Sequence, residues 1–96
     1  MTGVIVTFHY QDGFDAKRIV SIAESARGTF EGRAGLRHKF WTVDEAAREA
    51  INFYVWESEE AARAFHTEEF SRLVTGLYGV TPSLRYVQIT QVVSNA

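Results

Sequence analysis

LRHKFWTV (residues 36–43) and EAINFYVW (residues 49–56) both carry large apolar or aromatic side chains at each of the two alternating positions. Side chains on a strand point to opposite faces in turn, so a sheet with one wet face reads apolar-in, polar-out. These runs do not. In the first, Leu36 and Phe40 take one parity and Trp41 and Val43 the other; in the second, Ile51, Phe53 and Val55 oppose Tyr54 and Trp56. Both faces of the sheet therefore need cover.

Upstream, Val4 to Tyr10 alternates in the same way and ends at the turn signal QDG. Asp15 can cap a helix whose apolar positions Ala16, Ile19, Val20, Ala23, Ala26 and Phe30 keep three-four spacing, with Phe14 stapling its entry and an end near Arg27. Downstream, the polar stretch between the two quoted runs makes them a hairpin, and Ser58 followed by Glu59 and Glu60 starts a second helix. Polar residues from Thr67 interrupt that helix's apolar phase, predicting a kink or restart there. Gly76, Gly79 and Pro82 end it, and Leu84 to Val93 alternates as a last strand.

The order βαββαβ predicts a single α+β domain over residues 1–96: a ferredoxin-like four-stranded antiparallel sheet with both helices on one face. The other face is then bare. With Trp41, Tyr54 and Tyr86 on it, the patch exceeds what soluble monomers tolerate, and a second copy of the chain is the economical cover. The expectation is a homodimer enclosing a barrel-like interior. On that reading Asn52 joins Tyr54 and Trp56 in the interior, while Phe53 and Val55 pack on the helices. Trp41 takes Lys39 and Arg37 with it, and His38 follows Leu36 and Phe40 toward the helices as a buried, hydrogen-bonded imidazole.

Composition narrows the partners. Hydrophobic residues make up 46% and charged residues 23%, as in an ordinary folded domain. A net charge of −2 with scattered Lys and Arg offers no footprint for nucleic acid or an anionic membrane. Cysteine is absent, which removes disulfides, thiolate chemistry and Cys-based metal sites. No apolar run approaches ~18 residues and MTGVIVTFHY has no basic leader pattern, so the expected location is cytoplasmic. The glycines form neither GxGxxG nor a P-loop, and His66 with Glu69 lacks the further ligands of a metal site.

GLRHKFWTVDE (35–45), AINFYVWESEEAARAF (50–65) and LYGV (77–80) together resemble the YdhR-like mono-oxygenase family of the dimeric α/β-barrel superfamily. The resemblance spans nearly the whole chain and is most specific at Gly35-Leu36, Lys39, Trp41-Thr42 and Tyr54. It implies oxidation of a small aromatic or quinone-like molecule with no bound metal or flavin. Haem-degrading relatives carry a Trp and a His on the second helix where this chain has Ala64 and Val74, so haem degradation is disfavoured.

A cofactor-free oxygenase needs a base in an apolar pocket. His9 shares parity with the small residues Ile5 and Thr7 and is the first candidate, with Tyr54 beside it in the chemistry. Trp41, Tyr86, Asn52 and His38 are candidates for holding a planar ligand, and Lys39 for steadying an anionic one. Each also has a plain structural role open to it as interface or core. The alternatives are a non-catalytic dimeric module that binds a small hydrophobic ligand, or an isomerase-like proton-transfer enzyme.

Overall fold

The computed structural model describes residues 1–96. Its elements are β1 (Thr2–His9), α1 (Ala16–Phe30), β2 (Leu36–Asp44), β3 (Glu49–Trp56), α2 (Glu59–Phe65), α3 (Glu68–Tyr78) and β4 (Ser83–Gln88). All strand pairings are antiparallel, in the order β2-β3-β1-β4. This is the ferredoxin-like α+β arrangement, with its second helix split in two.

Alternation in β1 decides which face is inside. Val4, Val6, Phe8 and Tyr10 are buried, and their partners across the ladder bring Tyr54, Asn52 and Ala50 to the same side. Ile19, Ala62, Phe70, Val74 and Tyr78 of the helices close over them as one core. This corrects the expected parity of β3. Tyr54 and Trp56 lie under the helices, 1% and 2% exposed, and Tyr86 and Trp41 pack on that same side, not on the bare face. Phe53 and Phe40 stack on each other across the open face instead. Gly3, paired with Val55, leaves room for the Phe53 ring, because a Cβ there would stand 2.9 Å from it.

Strand β2 takes its faces from β3, which sets Lys39 beside Tyr54 and Trp41 beside Asn52, and a local irregularity brings Leu36 to the same side. The β2–β3 register slips between Leu36 and His38, so Arg37 is an extra residue that reverses the alternation. Leu36, Lys39, Trp41 and Val43 consequently share the helix side, while His38 and Phe40 are exposed on the other. His38 is thus not the buried imidazole that simple alternation implied.

Helix ends follow their capping residues. Asp15 accepts from the Arg18 amide, Ser58 from Ala61 and Thr67 from Phe70, so the restart at Thr67 is built as expected. Helix α1 runs one turn past Arg27 through Gly28, a residue that costs ~1 kcal/mol in a helix. The added turn delivers Phe30 onto Trp41, Tyr54 and Phe65, and that packing outweighs propensity. Strand β4 stops at Gln88, well short of Val93. Its only neighbour, β1, has run out there, and the Ile89 amide makes a last bond to the Met1 carbonyl. The tail beyond crosses the open face near Val55 and Phe40.

Candidate functional site

The break between α2 and α3 gives the site its shape. His66 is the last cap of α2, and its side chain turns down into the core, 8% exposed. There its ring meets Tyr54 at 4.5 Å, Phe70 at 4.7 Å and Phe65 at 5.0 Å between centroids. Trp56 Nε1 donates to His66 Nε2 at 3.0 Å. That bond places the proton of the neutral imidazole on Nδ1, which is buried without a partner. Burial, reinforced by the charge of Lys39, pushes the His66 pKa down to about 4. Trp56 and His66, ten residues apart in the chain, are thus joined across strand and helix by the fold.

Lys39 approaches the same cluster from β2. Its Nζ donates to the Tyr54 hydroxyl at 2.7 Å and stands 3.8, 4.2 and 4.4 Å from the ring centroids of Phe30, Tyr54 and Trp41. Rings attract a cation but cannot replace its hydration, and burial brings the Lys39 pKa down to about 7. Tyr54 moves the other way: burial, then the nearby Tyr78, holds its phenol protonated well above the usual tyrosine range. On the far side of Tyr54, Asn52 Nδ2 donates to the Tyr78 hydroxyl at 3.1 Å, and the Tyr10 hydroxyl donates to the Tyr78 carbonyl at 2.7 Å.

Between helices and sheet the space is filled by these rings. Room for a ligand lies beside them. A groove of about 560 Å³ follows β2 and the end of α1, lined by Phe30, Lys39, Trp41 and Leu36 with Arg27 and Arg37 at its margins. A second, of about 660 Å³, lies on the open face between Phe40, Phe53 and the C-terminal tail.

The structure brings Lys39, Trp41 and Tyr54 together, with Asn52 and Tyr86 on the same side of the sheet. It does not bring His9 to them. His9 lies on the opposite parity, its side chain half exposed, with Nδ1 3.2 Å from a Glu49 carboxylate oxygen. His38 is on the open side, stacked against Phe40, and from there it borders the β2 groove. No group of three or more His, Cys, Asp or Glu side chains is placed to hold a metal ion. No helix is long and apolar enough to cross a membrane.

The fold is that of a small ferredoxin-like α+β domain, and in this chain aromatic side chains from the sheet meet a broken second helix. No family model matches the sequence, and no curated protein matches it. Solved structures do match the fold. A monooxygenase from the ActVA-Orf6 gene of Streptomyces coelicolor, in complex with nanaomycin D, is 18% identical with a TM-score of 0.71, over 99% of this chain and 92% of its own. SnoaB, a cofactor-independent oxygenase from Streptomyces nogalater, is 13% identical with a TM-score of 0.67, over 98% of this chain and 97% of its own. Rv0793 from Mycobacterium tuberculosis is 10% identical with a TM-score of 0.69, over 97% and 98%.

The shifts at His66 and Lys39 make stability depend on pH. The unfolded chain binds a proton at His66 below 6.5, which the folded site resists until about 4, so stability rises with pH across that window. Lys39 does the same between about 7 and 10.5. Each contributes a slope of up to ~1.36 kcal/mol per pH unit. Urea unfolding is expected to show increasing stability from about pH 7 to 9, and Lys39→Met is expected to flatten that limb. A wild-type profile already flat there would contradict the burial of the ammonium.

Proposed function

We propose that the protein is a cofactor-independent mono-oxygenase acting on a small aromatic or quinone-related hydroxy compound in the β2 groove, with Lys39 as the base. The observation that carries this is a lysine amine, titrating near 7, held between aromatic rings and hydrogen-bonded to a phenol at the wall of an open groove. Such an amine is available unprotonated near neutral pH, where a base is most effective. It takes a proton from the substrate to give an electron-rich anion. The anion transfers an electron to oxygen, the pair recombines to a peroxide, and the ammonium returns the proton as water leaves and a carbonyl forms. One oxygen atom enters the substrate and the other leaves in water. The buried Tyr54 hydroxyl holds the Lys39 amine in place from behind, and Trp41 with Phe30 gives the substrate ring a surface to pack on. Support comes also from the fold shared with two oxygenases, one described as cofactor-independent and one crystallised with nanaomycin D. The test is oxygen uptake by the purified protein over a panel of anthrones and hydroquinones. Turnover above the spontaneous rate is expected for part of the panel, and none across it would overturn the reading.

We infer further that two copies pair through the open faces of their sheets. Phe40 is 51% exposed there, next to Phe53, and Val92 and Val93 of the tail are 57% and 84% exposed. An isologous twofold contact covers both patches at once. Sedimentation velocity at micromolar concentration is expected to show a dimer that Phe40→Asp converts to a folded monomer. A wild-type monomer would sink the inference.

A further inference from the structure

We propose that Lys39 is also a nucleophile toward carbonyl compounds, and that an aromatic aldehyde entering the β2 groove forms an imine with its Nζ while Tyr54 handles the proton of the carbonyl oxygen. The geometry supplies each part. Lys39 lines a groove of about 560 Å³ whose apolar wall includes Phe30 and Trp41, a place for an aryl group. Its Nζ is fixed by the Tyr54 hydroxyl 2.7 Å away and by the ring of Phe30 3.8 Å from it. An amine desolvated among rings is both more often neutral and less hindered by bound water, which is how buried lysines become reactive.

The step balances within the groups named. The Nζ lone pair attacks the carbonyl carbon, and the C=O π pair moves onto oxygen. Tyr54 gives its hydroxyl proton to that oxygen and takes one back from the new ammonium nitrogen, leaving a carbinolamine. Tyr54 then gives its proton to the carbinolamine hydroxyl, the C–O bond breaks and water leaves as the nitrogen lone pair forms the C=N bond, and the iminium proton returns to Tyr54. Condensation consumes one aldehyde and releases one water, with no change of oxidation state.

The chain holds only two lysines, Lys17 and Lys39, and Lys17 is exposed on α1. It is an internal reference in the same molecule. Benzaldehyde with sodium cyanoborohydride at neutral pH converts any imine to a benzylamine, the borohydride supplying the hydride, and peptide mapping by mass spectrometry locates it. Labelling at Lys39 is expected to exceed that at Lys17 by at least ~10-fold, the ratio a one-unit difference in amine pKa produces. Tyr54→Phe is expected to slow Lys39 labelling while leaving Lys17 unchanged. Equal or preferential labelling of Lys17 or the amino terminus overturns the proposal, and an unchanged rate in Tyr54→Phe overturns the role of Tyr54. This reading and the oxygenase reading fail separately. Labelling without oxygen uptake supports imine chemistry alone, and oxygen uptake without labelling leaves only the base.

Discussion

Replacing Lys39 with methionine is expected to lower the proposed oxygenase turnover by about 10²–10⁴-fold, the contribution of a positioned base. Methionine fills the space among Phe30, Trp41 and Tyr54 without bringing a charge, so the fold is expected to stay intact and to gain stability below about pH 7, where the wild type buries an ammonium. Loss of activity with a raised melting temperature is a combination that unfolding cannot produce. Lys39→Arg is expected to lose activity as well, because guanidinium does not give up its proton in the working range. In the wild type, kcat/KM should rise with pH through about 7 as the amine deprotonates, and the methionine variant should show a flat residue of activity. Stopped oxygen-electrode assays over that range check both. A methionine variant within ~3-fold of wild type would remove Lys39 from the chemistry.

Replacing Trp56 with alanine is expected to cost about 3–5 kcal/mol, the range for a large aromatic removed from a core. Domains of this size hold ~5–15 kcal/mol in total, so the variant should be largely unfolded at moderate temperature. Two losses combine. The indole is 2% exposed and packs on Phe65 and Tyr54, and its removal leaves a cavity at the junction of β3 and α2. It also strips the donor from His66 Nε2, whose other nitrogen already lacks a partner. Trp56→Phe separates these. It keeps most of the packing and should cost only the ~1–3 kcal/mol of an orphaned buried acceptor. Urea titrations followed by circular dichroism measure both variants, and a double-mutant cycle with His66→Phe isolates the pair. A loss under ~1 kcal/mol for Trp56→Ala would mean that this corner is not packed as described.

Much of the architecture is legible in the chain itself, and for local reasons. Asp15, Ser58 and Thr67 cap helices in the structure as their residue types require, and the polar interruption at Thr67 does divide the second helix. Period-two runs mark four strands, and their order with the helices leaves the ferredoxin-like sheet as the simplest solution. Where the reading stopped short, longer-range facts intervened. Phe30 extended α1 for the sake of its ring contacts, and β4 ended when β1 could offer no further partner.

The site itself was half legible. Lys39, Trp41 and Tyr54 were singled out from the sequence, and they do converge. His9, chosen for its imidazole and its place beside Ile5 and Thr7, keeps that parity and lies on the open face beside Glu49, apart from the Lys39 cluster. His66, which the sequence places with Glu69 on a polar helix face short of metal ligands, is buried at the centre, since only the folded break between α2 and α3 can turn a cap residue inward.

From the sequence alone came the elements, their order and the demand that both faces of the sheet be covered. Which face holds the helices was decided by tertiary structure. With large side chains on both parities, alternation cannot say in from out, and a single extra residue at Arg37 reverses it along the rest of β2. The helices settled on the side where Val4, Val6 and Phe8 of the central strand bury most apolar surface, and Tyr54, Trp56 and Lys39 went with them.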